Sequence, residues 1–163
     1  NDGRICCHYS HMQVLKDFLK DPHARNILVF EDDMGDDYEN AEDLNRKVGP
    51  YLDSAPRDWN YLNLGTCWDK CHQMGKLPTT KMWKKSHRPL CRNAIAFNKT
   101  GAKMVYNMCQ PMKDKPGDNM IGQLISSGYL PNAYNTSTQL FKQNREEWGT
   151  NLGNMAKVPL LCT

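Results

Sequence analysis

The chain predicts an α/β domain, a sheet flanked by helices, on three observations. Short apolar runs alternate with segments of helical periodicity along most of its length. Its 163 residues, 39% of them apolar and 24% charged, suit a single domain with one sizeable core. The longest apolar run is about five residues, far short of the roughly 20 that cross a bilayer, and no signal peptide opens the chain.

The elements follow in order. From Ser10 to Leu19, the residues Met12, Val14, Leu15, Phe18 and Leu19 form a helical stripe, with Ser10 as N-cap and Pro22 beyond the end. "ILVF" (27–30) reads as a buried strand, because it favours β structure and shows no polar alternation. "YENAEDLNRKVGPYL" reads as a helix closed by Gly49-Pro50, and "WNYLNLG" as a second strand ended by Gly65. The stretch from Thr66 to Leu90 has few helix or strand signals and is longer than an ordinary connector. It is expected to be a mobile lid that orders over a ligand. "CRNAIAFN" makes a third strand, "KTGAKMVYNMC" a helix, "GDNMIGQLISSG" another helix and "YLPNAYN" a short strand. Repeated β-α order implies a mixed, mostly parallel sheet covered on both faces, with no repeat, low-complexity tract or linker to divide it.

The net charge of +3 is scattered rather than striped, which argues against a nucleic-acid partner and leaves an anionic small substrate compatible. Seven cysteines leave at least one thiol unpaired. Sequons at Asn98 and Asn135 would permit glycosylation in a secretory lumen, whereas nine methionines and the adjacent Cys6 and Cys7 suit a reducing cytosol. The compartment stays open between the two.

The chemistry concentrates in "NILVFEDDMGDD" (26–37), where an apolar strand runs into five carboxylates. Like charges this close repel and raise one another's pKa unless solvated or given a cation. In open α/β sheets ligands sit beyond the carboxyl ends of strands, where Glu31, Asp32 and Asp33 fall. A strand's period of two sends Glu31 and Asp33 to one face and Asp32 to the other, so successive residues could serve a metal and a ribose. Hard oxygen ligands select Mg²⁺ or Mn²⁺, with substrate phosphates completing the shell. The plainer alternative is a solvated turn in which Asp36 and Asp37 cap the next helix.

The series "CCHYSHMQVLKDFL", "ILVFEDDM", "DWNYLNLG", "AIAFNKTGAKMV" and "PGDNMIGQLISSG", in that order over residues 5–135, resembles glycosyltransferase family 25 and its GT-A-fold relatives, which include lipopolysaccharide and procollagen galactosyltransferases. The resemblance implies a single GT-A-like catalytic domain over residues 1–163 that takes a UDP-sugar donor and a glycan or glycoprotein hydroxyl acceptor, with Mn²⁺ or Mg²⁺. It implies Asp33 as direct metal ligand, Asp32 as acceptor of the ribose hydroxyls, and Glu31 as a water-mediated ligand or an orienting group. Two departures stand out. Family members begin with a further strand and helix, so the chain is expected to lack the first β-α unit or to be a piece of a longer protein. A late His or Asp often completes the family's metal shell, and "NTSTQLFKQNREEWGTN" offers neither.

Sugar transfer with inversion needs a carboxylate base. The resemblance points to Asp118 in "PGDNMI", with Asp114 as substitute, while the residues alone also fit plain helix capping. His11 reads either as a donor contact or as a packed helix histidine. Tyr38, Trp68 and Trp83 could stack on a sugar ring or belong to the core. "CWDKCH" with His87 and Cys91 raises a zinc site, and a disulfide between two of Cys67, Cys71 and Cys91 is the competing use of those sulfurs. Two other classes remain open, a metal-dependent phosphohydrolase and a noncatalytic nucleotide-sugar or glycan-binding remnant. The former usually needs further acidic or His clusters on neighbouring strands, which "WNYLNLG" and "AIAFN" lack.

Overall fold

The structure, a computed structural model, describes residues 2–35, 38–69, 80–112 and 116–144. The strands in chain order are β1 (Asn26–Phe30), β2 (Met34–Gly35), β3 (Tyr61–Asn63), β4 (Trp83–Lys85), β5 (Ala94–Asn98), β6 (Ala133–Thr136) and β7 (Lys142–Gln143). Helices α1 (Asp2–Lys20), α2 (Ala41–Asp53), α3 (Lys99–Met108) and α4 (Gly117–Ser126) complete the set. Five strands form a sheet in the order β1-β5-β3-β6-β4, and β2 and β7 pair separately. No described helix is long and apolar enough to cross a membrane.

The mixed α/β architecture matches the sequence reading, but the pairing corrects it. Only β3 and β6 run parallel, while β1-β5, β3-β5 and β4-β6 are antiparallel. The period of two in each strand splits the core. Tyr61, Ile95 and Phe97 face one cluster with Met12, Leu15 and Phe18 of α1, Val105 of α3 and Ile121 of α4. Leu62, Ala94, Ala96 and Tyr134 face the other with Val48 of α2 and Trp83. Gly101 sits where α3 crosses the chain before β3, because a Cβ there would strike the carbonyl of Asn60.

Other boundaries differ for physical reasons. Helix α1 starts at Asp2, and Ser10 is an exposed mid-helix residue. The buried stripe runs on to His8, with Cys7 half-buried beside it, which an apolar count does not register. Helix α2 passes through Gly49-Pro50, because Pro50 lies in the exposed last turn where the carbonyl it leaves unbonded meets water. Its N-cap is Asn40, whose side chain accepts from the Asp43 N–H. Asp36 and Asp37 lie outside the described residues. The last short strand begins at Ala133, with Tyr129 exposed before it. The expected buried strand 27–30 is an edge strand in which Leu28 and Phe30 are exposed.

The long 66–90 segment is anchored wherever it is described. β4 joins the sheet, Trp68 bridges Leu90, and Cys67 is disulfide-bonded to Cys91. Cys91 itself holds a φ of 63°, in the left-handed region. The buried Asp69 carboxylate accepts from Ser86 Oγ (2.9 Å), the His87 and Arg88 N–H groups (3.1 and 2.6 Å) and Asn135 Nδ2 (2.8 Å). These bonds correct the lid expectation for the described stretches, and residues 70–79 lie outside them. They also correct the sequon reading, since Asn135 is 2% exposed with its amide on Asp69. Asn98 spends its side chain as N-cap of α3 and as donor to the Trp59 carbonyl.

A buried carboxylate that gathers this many donors cannot be deleted cheaply, because each donor would be left without a partner. Asp69→Ala is therefore expected to cost about 3 kcal/mol or more. A thermal melt showing only a marginal shift would contradict this.

Candidate functional site

The acidic turn is built where β1 leaves the sheet. The Glu31 N–H bonds the Asn93 carbonyl (2.9 Å), which keeps Glu31 in line with the strand, and the Met34 N–H returns to the Glu31 carbonyl (3.1 Å). The β2-β7 pair sets Met34 opposite Gln143, and the Asn144 N–H bonds the Asp33 carbonyl (2.8 Å). Gln143 is thereby brought against the acids. Its Nε2 donates to Glu31 Oε2 (3.2 Å) and to Asp33 Oδ2 (3.2 Å) and Oδ1 (3.4 Å). Glu31 and Asp33 thus converge and Asp32 is exposed, the division that the strand period predicts.

The other side of Glu31 faces inward. His11 Nε2–H donates to Glu31 Oε1 (2.9 Å), and Arg92 Nε lies 3.5 Å from the same oxygen. Arg92 is 7% exposed and also donates from NH2 to Cys7 Sγ (3.2 Å), while the Cys7 thiol lies 3.5 Å from Glu31. Burial pushes the Glu31 carboxyl up, but the His11 bond, Arg92 and Cys7 outweigh it and hold it below the ordinary glutamate value. Burial lowers His11, against the opposing pull of Glu31, so the imidazole stays neutral and donates. Burial raises the Cys7 thiol, with Arg92 opposing and Glu31 adding.

Cys7, His11 and Glu31 offer ligand atoms within 4.8 Å of one another, a set that includes zinc-type donors. Arg92, bonded to the thiol and close to the carboxylate, already supplies positive charge there, so the set is a weak metal holder. The outward group differs in kind: Glu31 Oε2 and the Asp33 carboxylate are hard oxygen donors that both accept from the Gln143 amide nitrogen.

Asp118 lies in the first turn of α4, where Pro116 is the N-cap and makes no side-chain cap. Asp118 Oδ1 accepts from the Asn119 N–H (2.8 Å), and its negative charge favours that helix end. The neighbouring Gly117 is required, because a Cβ there would collide with the Arg92 guanidinium. Arg92 NH1 and His8 Nδ1 are both packed against Gly117 without a hydrogen-bond partner, while His8 Nε2–H donates to the Cys109 carbonyl (2.9 Å). Arg92 therefore links the acidic turn to the start of α4. Asp114 lies outside the described residues.

The remaining candidates are structural. Trp83 is 1% exposed with its Nε1–H on the Tyr51 carbonyl (3.0 Å). Tyr38 donates to the Leu140 carbonyl (2.7 Å) and stacks edge-on with Phe141. Trp68 is half-buried in its bridge to Leu90. The Cys67–Cys91 disulfide removes two sulfurs from the expected zinc set, and Cys71 and His72 lie outside the described residues. Sequence reasoning missed Arg92, Cys7 and Gln143. A charged residue opening the otherwise buried run "CRNAIAFN" was a signal for Arg92, whereas Gln143 reaches the acids only through long-range pairing.

No family model, curated protein or solved structure matches the chain.

The histidines give this site a pH signature. His8 and His11 both have lowered pKa values in the fold, so below the ordinary value of 6.5 the unfolded chain binds protons that the folded one refuses. Stability is expected to fall as pH drops from 6.5, and the loss through Glu31 begins only lower, as pH falls through the ordinary glutamate value of 4.5, and is complete below its depressed one. His11→Gln should reduce the slope between pH 6.5 and 5 by up to about 1.4 kcal/mol per pH unit, one proton's worth. Urea midpoints across that range read it, and an unchanged slope would exclude His11 as a buried neutral group.

Proposed function

We propose that the chain binds a UDP-sugar through a divalent cation and transfers the sugar, with inversion, to a hydroxyl of a glycan or glycoprotein. The observation that carries this reading is the pair of carboxylates, Glu31 and Asp33, sharing the Gln143 amide at the end of β1. One N–H₂ group donating to two anions stands in for the positive charge that two adjacent carboxylates need. The ordered resemblance to glycosyltransferase family 25 supports the same reading, as does the open carboxyl end of a strand in an α/β sheet. The Cys67–Cys91 disulfide supports an oxidising lumen as the working compartment.

On this reading Asp33 and Glu31 Oε2 hold Mn²⁺ or Mg²⁺, which when bound neutralises the donor diphosphate. His11 and Arg92 fix Glu31 from behind, so its outer oxygen keeps its place with or without ligand. Asp32, exposed, accepts from the ribose hydroxyls. Asp118 takes the proton of the acceptor hydroxyl.

Asp33→Ala is expected to leave the melting temperature nearly unchanged and to abolish Mn²⁺-supported UDP-sugar binding, because it removes a ligand and relieves like-charge repulsion. Calorimetry against a UDP-sugar panel with and without Mn²⁺ measures this. A variant that binds as well as the parent, in the same metal-dependent way, sinks the assignment.

Asp118→Asn keeps the size and helix-end hydrogen bonding of the side chain but cannot take a proton. Transfer should fall by ~10²-fold or more, with donor binding and melting unchanged. A small melting shift with normal turnover would make Asp118 a helix-end residue and nothing more.

A further inference from the structure

The two edges of the five-stranded sheet are treated differently. Edge strands expose unpaired N–H and C=O groups, and proteins blunt them with lysines, proline, bulges or short length. β4, at one edge, is three residues long and carries Lys84 and Lys85. β1, at the other, has none of these devices. Its five residues, Asn26–Phe30, include no charge and no proline, and they pair one-to-one with β5 without a bulge. No strand lies on its outer side among the described residues. Leu28 is 39% exposed and Phe30 43% exposed on its open face. On α1, Val14 is 39% exposed and follows Cys7 and His11 along the stripe that leads to the Glu31 end of β1.

We propose that this edge pairs with the same edge of a second copy, antiparallel, about a two-fold axis at Leu28. The segment is self-complementary. Exposed Arg25 precedes the strand, and Glu31 and the exposed Asp32 follow it, so reversing one copy brings basic end to acidic end. Centred on Leu28, the register sets Leu28 opposite itself, Ile27 opposite Val29 and Arg25 opposite Glu31 of the second copy. Both ends then carry charge pairs and the middle is apolar. The two sheets join into one of ten strands, and the exposed Leu28 side chains cover each other. A heterologous occupant would need no such symmetry of charge about the midpoint. The pairing uses the outer backbone edge of β1 and shares Glu31 with the proposed metal site, but its readout is mass and cross-linking, so its failure is distinguishable from a failure of sugar transfer.

Sedimentation equilibrium on the 163-residue chain tests it. The expected mass is twice the 18.8 kDa of one chain, with dissociation favoured by added salt. Leu28→Lys places two lysines face to face and should raise the dissociation constant by about tenfold or more while the melt stays cooperative. Arg25→Glu, outside the strand, should weaken the dimer in the same direction, and it serves if Leu28→Lys does not fold. Leu28→Cys, oxidised with added diamide, should give an intermolecular disulfide that peptide masses map to residue 28 on both sides. A monomer at the highest soluble concentration overturns the proposal, including one that instead takes up an added apolar strand peptide. So does a dimer that is indifferent to these charges and yields no cross-link at residue 28.

Discussion

A buried guanidinium is the constraint around which the site end of this fold is arranged. Arg92, two residues before β5, is almost wholly shielded from water, and an unpaired charge in that position would cost several kcal/mol. Three elements therefore have to converge on it. α1 supplies Cys7, the end of β1 supplies Glu31, and α4 starts with a glycine because nothing larger fits beside the guanidinium. Removing Glu31 would strand a cation, and a side chain at Gly117 would push it away. The spacing between the acidic turn and the first turn of α4 is thus set by a single residue that belongs to neither.

Further across the same end of the sheet, different physics applies. There the buried Asp69 carboxylate collects donors from the chain after β4 and from β6, and the Cys67–Cys91 disulfide closes the base of the same excursion. Asn63 adds to the closure, donating to the Cys91 carbonyl (2.7 Å) and accepting from the Gly65 N–H (3.0 Å). A covalent bond and neutral-to-charged hydrogen bonds cross-link the loop to the sheet without needing apolar area. That explains how a stretch with so little hydrophobic pattern is ordered on both sides of its middle.

This difference also explains what the sequence made legible. Strands and helices driven by apolar periodicity, such as β5, α3 and α4, could be read directly from "AIAFN", "KTGAKMV" and "GDNMIGQLI". The acidic turn was legible because five carboxylates after a strand demand an explanation. What escaped were features made by polar residues acting at long range. The N-terminal part of α1 is anchored by buried His8 and half-buried Cys7 rather than by aliphatic residues, the antiparallel β1-β5 pairing has no local signature, and Gln143 meets Glu31 across 112 positions. β1 misled because a continuous apolar run marks both a central strand and an unprotected edge.

The buried ion pair is a poor explanation of stability and a good one of position. Replacing such a pair with apolar side chains of similar volume is often neutral or stabilising, so its presence does not follow from folding alone. What apolar residues could not do is divide one carboxylate between two environments. Glu31 Oε1 is held inside by His11 and Arg92, and Oε2 is left on the outer side beside Asp33 and Gln143. The inner contacts hold its pKa below the ordinary glutamate value despite burial, so the outer oxygen shares a negative charge at neutral pH. A second carboxylate next to it is then repelled unless something positive, or a donor such as the Gln143 amide, lies between them. Arg92 thus maintains from behind the electrostatic demand that the acidic turn presents in front, a demand that a solvated corner of scattered charges would not have.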